Sequence, residues 1–186
     1  MGVAVKQTAG NCAYAKGVSF LRRLAVRVVV ESLLPCNPAI AWAEVRHSRL
    51  LQEVCFPLVT FLPAPGETLP VKWPESTVMK IRSYLLGLMP LGTRDLAFVR
   101  IDPQAREIHT AESDALVARW DHVISIAEAE PGFCRYRDEI EVEAGWLTPL
   151  VWLFARCLYG HRQLRWRGVA RRLAQAAAAD LSAAQR

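Results

Sequence analysis

Long apolar runs are missing from this chain. The longest, "LVWLFA" with its neighbours, is interrupted by Arg156 and falls well short of the ~18 residues that a membrane-spanning helix needs. Histidine is scarce, with no H-x-x-x-H pair, and the cysteines (Cys12, Cys36, Cys55, Cys134 and Cys157) include no C-x-x-C. Such spacing gives no reason to expect a metal site or a disulfide framework. Cys134 and Cys157 fall on expected core faces, where cysteine acts as a small hydrophobe. No glycine-rich loop follows a strand, so there is no nucleotide fingerprint and no cofactor is expected. The opening stretch "MGVAVKQTAGNCAYAKGVSF" lacks the continuous apolar segment of a signal peptide, and Lys6 breaks the myristoylation pattern. The expected compartment is the cytoplasm.

A strong charge of one sign is also lacking. The formal net charge is +5, and much of it gathers in "GHRQLRWRGVARRL" near the C-terminus. A cluster on one helix end, rather than a field over a whole face, gives no reason to expect a nucleic-acid partner. Cations are favoured at a helix C-terminus in any case. The alternative is peripheral contact of Arg162, Arg165, Arg167, Arg171 and Arg172 with an anionic membrane.

What is present suits one domain with a sizeable core: 186 residues, 52% of them apolar. Residues 1–22 show no period and are expected to be a flexible extension. "LAVRVVVES" (24–32) is a Val-rich strand. Asn37 and Pro38 are the cap and first position of a short helix, and Ser48 caps a second one through "SRLLQEV". "FLPAPGETLPVKWPES", with its four prolines, reads as a loop along the surface or a cavity rim. "TVMKIRSYLL" alternates, "GLMPLG" breaks the chain, and "RDLAFVRID", "REIHTAES" and "LVARWDHVISIAEAE" follow as strands with short turns. Short turns make the sheet antiparallel.

The last strand carries the sharpest pattern. In "CRYRDEIEVE", Arg135, Arg137, Glu139, Glu141 and Glu143 take the odd positions, and Cys134, Tyr136, Asp138, Ile140 and Val142 the even ones. Strand side chains alternate between faces, so the even set points inward. The inward set therefore includes an aspartate and a tyrosine. Closing the hairpin at "EPG" puts Ile126 opposite Tyr136, Ile124 opposite Asp138 and His122 opposite Ile140. His122 and Asp138 are then diagonal neighbours on one face. A one-residue slip would bury the charged row. After this strand, Thr148 and Pro149 start a long helix whose first turns are apolar almost all round. It is expected to be buried there on more than one side and to emerge where it turns basic. His161, one turn beyond Leu158, is a buried structural side chain or faces the cavity floor.

The stretches "LLGLMPLG", "VARWDHVISI", "CRYRDEIEVEAGWLTPLV" and "FARCLYGHRQLRWR" resemble the SRPBCC superfamily, also called START-like or Bet v 1-like. Within it they resemble the polyketide cyclase/dehydrase and lipid-transport group, among uncharacterised bacterial members. The resemblance spans residues 23–174 and leaves 175–186 as an Ala-rich helix end or tail. It implies an α+β helix-grip fold: a curved seven-stranded antiparallel sheet around a long C-terminal helix, with two short helices after the first strand. It also implies a cavity between sheet and helix, of the size usual for ligand pockets. Met79, Ile81, Trp120, Ile124, Ile140, Phe154 and Leu158 are the candidate lining with His122, Tyr136 and Asp138, and the mouth is expected near Trp73.

Three functions compete. The leading one is binding or carriage of a hydrophobic or amphipathic small molecule, lipid- or polyketide-like, by a monomer or weak dimer. The second is a cyclase/dehydratase-type enzyme in which His122 and Asp138, with Tyr136 nearby, move protons. The third is a membrane- or partner-interaction protein acting through its basic C-terminal helix. A buried Asp138 must be paired, protonated or wet, because an unpaired carboxylate in an apolar interior is too costly.

Overall fold

The computed structural model describes residues 25–184; the expected extension 1–22, Cys12 within it, and the strand start at Leu24 lie outside that range. The chain forms β1 (Val26–Leu34), α1 (Pro38–Val45), α2 (Ser48–Cys55), β2 (Val59–Pro63), β3 (Val78–Leu85), β4 (Met89–Asp102), β5 (Glu107–Ser113), β6 (Arg119–Glu128), β7 (Cys134–Glu143) and α3 (Thr148–Ala184). One antiparallel sheet holds all seven strands in the order β1-β7-β6-β5-β4-β3-β2. The two helices after β1 carry the chain from one sheet edge to the other. The rest is a meander that returns to β1, and α3 then packs against β1 and α2. This is the helix-grip arrangement.

The β6–β7 register is the expected one. Ile126 pairs with Tyr136, Ile124 with Asp138 and His122 with Ile140. Gly132, at φ 83, takes the left-handed conformation that the tight turn requires. Cys134, Tyr136, Asp138, Ile140 and Val142 are all buried, and none of the odd row is. The odd row is laced across strands instead, with Arg135 on Glu31, Arg27 on Glu139 and Arg119 on Glu141.

Local expectations hold at α1, where the Asn37 side chain accepts from the Ala39 amide at 2.8 Å. They shift elsewhere. The cap of α2 is His47, not Ser48, and it makes no side-chain capping bond. Thr148 does not cap α3 from outside; its hydroxyl accepts from Ala144 N and donates to Gly145 O, tying the 3-10 turn Gly145–Leu147 to the helix start. Phe61–Pro63 belong to β2 rather than to the proline-rich loop. "GLMPLG" is not a break. Leu86 and Gly87 both take positive φ, the chain reverses within three residues, and β4 starts at Met89.

The largest departure concerns α3. Its first turns are not buried on several sides: Leu150, Trp152, Leu153 and Cys157 are exposed, and Trp146 just before it is 88% exposed. Beyond Thr148, only a stripe of Ala155, Leu158, Tyr159, Arg162, Gln163, Trp166, Val169 and Ala170 is buried. The first turns face the sheet at β1, and α2 meets the helix further along, at Arg165 and Arg172, so only the side chains turned to these elements are covered. Side chains on α3 also reach β1, where Gln163 donates to Val30 O and Arg156 to Val29 O, which helps to shield that edge strand.

The register makes opposite demands on neighbouring residues of β7. Ile140→Ala is expected to destabilise by about 2–5 kcal/mol, as a fully buried aliphatic truncation does. Glu141→Ala, one position along, is expected to stay within about 1 kcal/mol because its ion pair is exposed. Urea unfolding of both variants checks this; comparable losses would contradict the register.

Candidate functional site

Three elements converge on one buried carboxylate. Asp138, 0% exposed, takes His122 Nε2 at 2.8 Å and the Tyr136 hydroxyl at 3.2 Å on Oδ1. Its Oδ2 accepts from Gln163 Nε2 at 3.1 Å. Thus β6, β7 and α3 each supply a donor. His122 also meets the Tyr159 ring edge-on at 4.8 Å. Tyr159 in turn receives the Trp120 indole N–H at 3.4 Å.

Burial works against the Asp138 charge. The Arg162 guanidinium and the hydrogen bonds from His122 and Gln163 outweigh it and hold the carboxyl below its ordinary range. For Arg162 desolvation again works against the charge, and the Asp138 carboxylate, with smaller contributions from Cys55, Tyr159 and Tyr136, leaves the guanidinium pKa raised. Burial, joined by the Asp138 charge, pushes the Tyr136 phenol well up, so Tyr136 stays a neutral donor. Burial also raises the Cys55 thiol to about 11, which makes it a poor nucleophile at neutral pH.

In front of this network lies a cavity with a free volume of about 80 Å³. That is room for several waters and well below the ~300–1,000 Å³ of common ligand pockets, so the expected size is corrected downward. Of the candidate lining residues, Ile81, Trp120, His122, Ile124, Tyr136, Phe154, Leu158 and Trp73 border it. Met79 and Ile140 do not. They are packed into core clusters on either side. Asp138 is not on the wall either, because His122, Tyr136 and Gln163 cover it. Trp73 stacks on Phe98 with ring centroids 4.8 Å apart and closes the cavity as part of its wall. His161 is elsewhere, against the Phe56 carbonyl at 3.0 Å.

The sequence reading missed much of the wall. Leu50, Val54 and Cys55 of α2 form one side of it, and Arg94, Thr110, Glu112 and Arg162 add polar groups. Arg94 is paired with Glu112 and Asp114, both at 3.1 Å. Arg162 belongs to the run assigned to a solvated basic face, yet it is 8% exposed and borders the cavity. Its spacing from Leu158 and Trp166 on the buried stripe was the available signal. Of the other members of that run, Arg165 and Arg172 reach α2 through Glu53. No group of three or more His, Cys, Asp or Glu among the described residues is placed to hold a metal ion. No helix among them is long and apolar enough to cross a membrane.

Solved structures share this arrangement at low sequence identity. Protein CV1439 from Chromobacterium violaceum aligns with a TM-score of 0.59 at 9% identity, over 77% of this chain and 96% of its own. A START superfamily protein from Mycobacterium smegmatis aligns at 0.57 and 14% identity, over 79% and 98%. Ara h 8.0201 aligns at 0.56 and 12% identity, over 78% and 97%. No curated protein matches the sequence significantly. The class so defined is the helix-grip fold that the chain shares with these structures. More narrowly, the chain belongs to the family described as Domain of unknown function (DUF8410), whose profile matches residues 32–170.

The depressed Asp138 value fixes a sign. A carboxyl whose folded pKa lies below its unfolded value of ~3.9 contributes fully above that value, and the contribution is lost as pH falls through the folded one. Asp138→Asn is expected to lower stability at pH 7 by about 3–5 kcal/mol, the range for breaking a buried charge arrangement. It should also flatten the acid limb of stability against pH. Chemical denaturation from pH 7 to pH 3 tests this; parallel wild-type and variant profiles would show that the Asp138 pKa is unchanged on folding, and a wild type that gains on the variant as pH falls would show a carboxyl held neutral.

Proposed function

We propose that this protein binds or carries a hydrophobic or amphipathic small molecule in the cavity between the sheet, α2 and α3. The observation that carries this reading is the wall itself. It is mostly aliphatic and aromatic, yet Ser83 Oγ, Thr110 Oγ1 and Trp166 Nε1 are buried in residues bordering the cavity with no protein hydrogen-bond partner. Each such group costs about 1–3 kcal/mol when left unpaired. A solid core would use apolar residues there. Apolar walls with a few convergent polar groups are the chemistry of a ligand site, and the START-like fold is consistent with it.

The free volume sets a condition on this reading: the wall must move to admit a ligand of ordinary size. We assign that movement to the segment between β2 and β3, which has no helix or strand of its own. It brings Trp73 onto Phe98, and backbone bonds such as Trp73 N to Arg46 O and Ser48 N to Val71 O hold it. A lipid- or polyketide-like ligand would enter there.

A second reading rests on the His122–Asp138 pair. A histidine bordering a cavity and held through Nε2 by a buried carboxylate is arranged as a general base with its orienting partner. In that reading the protein is a cyclase/dehydratase-type enzyme, with Tyr136 tuning the carboxylate. The other donors on Asp138 and its depressed pKa equally suit a purely structural pin, so binding leads.

Leu158→Trp fills the cavity from α3. Wild type is expected to bind an anilinonaphthalene sulfonate probe saturably, and the variant to lose at least about tenfold in affinity with its thermal unfolding still cooperative. Overpacking should cost it about 1–3 kcal/mol. Unchanged probe binding by a folded Leu158→Trp would place the probe on the exposed apolar face of α3 and remove the support for an interior site.

A further inference from the structure

We infer that Arg162 anchors the anionic head of the ligand, and that this head is a carboxylate on an otherwise apolar molecule. The inference rests on the ligand-binding reading above and narrows it. Arg162 borders the cavity at 8% exposure. Among the described residues it makes no hydrogen bond, and no carboxylate lies within the 4.0 Å of an ion pair; its Nε is buried without a partner. Its guanidinium carbon lies 4.6 Å from the centroid of the Tyr159 ring.

The comparison with Arg94 is what makes this informative. Both guanidiniums border the same cavity and leave Nε without a partner, but Arg94 has a carboxylate on each of its other two nitrogens, Glu112 and Asp114. Asp138 does not serve Arg162 in that way. Its oxygens are engaged by His122, Tyr136 and Gln163, so it balances the charge from beyond hydrogen-bond reach. A guanidinium has five N–H donors in a planar fork, and burying one unmatched, as Nε–H is here, is costly. The matching acceptor is planar and bidentate.

The surroundings choose among anions. Trp166, four residues on and therefore on the same helix face, also borders the cavity with its indole N–H unused. Both are donors, and the site presents them to an acceptor. Glu112 on the same wall and Asp138 behind it bring negative charge close by, and Arg94 is already committed. One free cation suits a singly charged carboxylate better than a phosphate dianion. The aliphatic and aromatic wall then takes the rest of the molecule.

Calorimetric titration of the full chain with decanoate, decanol and decyltrimethylammonium, all below their micellar concentrations, tests the assignment. Wild type is expected to bind decanoate at least tenfold more tightly than decanol and to reject the cation. Arg162→Gln should bring decanoate down to the decanol level and leave decanol unchanged. Trp166→Phe keeps the ring and loses only the N–H, so it should weaken decanoate severalfold and spare decanol. It carries the test should Arg162→Gln not fold. Equal binding of decanoate and decanol by wild type would overturn the anchor and leave the cavity reading standing. So would a carboxylate preference that survives in a folded Arg162→Gln. Binding of none of the three would overturn both.

Discussion

The interior of this molecule is arranged around one charge, the carboxylate of Asp138. It lies where β6, β7 and α3 meet, and each gives it a hydrogen-bond donor. A carboxylate at 0% exposure tolerates few arrangements, because each missing donor leaves a desolvated acceptor. It therefore constrains the fold in ways that apolar contacts do not. Sliding β7 by one residue on β6 would move Asp138 to the outer face. Rotating α3 about its axis would withdraw Gln163, which also bonds the β1 carbonyl of Val30. The sheet and the helix it holds are thereby locked in register and rotation by the same group.

This explains which features were legible in the sequence. The alternation of β7 and the turn at Glu130–Gly132 depend on local geometry, where side-chain parity and turn chemistry act within a few residues. They are enough to bring His122 and Asp138 onto one face as diagonal neighbours. The faces of α3 were not legible in the same way. Apolar residues surround its first turns, and only the position of the single layer beneath decides that Leu158 and Tyr159 are covered while Leu153 and Cys157 are not. Arg162 was misread for a related reason. Its arginine neighbours suggest a solvated face, whereas its period with Leu158 and Trp166 puts it inside. Composition and periodicity disagreed there, and tertiary packing followed periodicity.

The exposed apolar residues also set a limit on the role of the basic helix. Trp146 just before α3 and Leu150, Leu153 and Leu164 on it are exposed, and of the arginines along the helix Arg162 is internal, Arg156 is bonded to the Val29 carbonyl, and Arg165 and Arg172 are engaged with Glu53. A surface-binding amphipathic helix needs an apolar face flanked by free cations along the same length. Here most of the cations are engaged with the protein itself, which weakens the membrane reading relative to the interior site.

The cavity wall completes the argument. Ser83, Thr110, Arg162 and Trp166 each hold a buried polar atom without a protein partner, and all four border one cavity. Aliphatic residues of similar volume in those places would remove the desolvation cost and close the space. Local departures from stable packing of this kind are expected where function requires them. Asp138 fits the same logic from the other side. It is fully satisfied, and it lends Arg162 a compensating charge without occupying its hydrogen bonds. The arrangement leaves a buried cation that is electrostatically tolerable yet chemically unfilled, which is the state required of a group that must take up an anion and release it again.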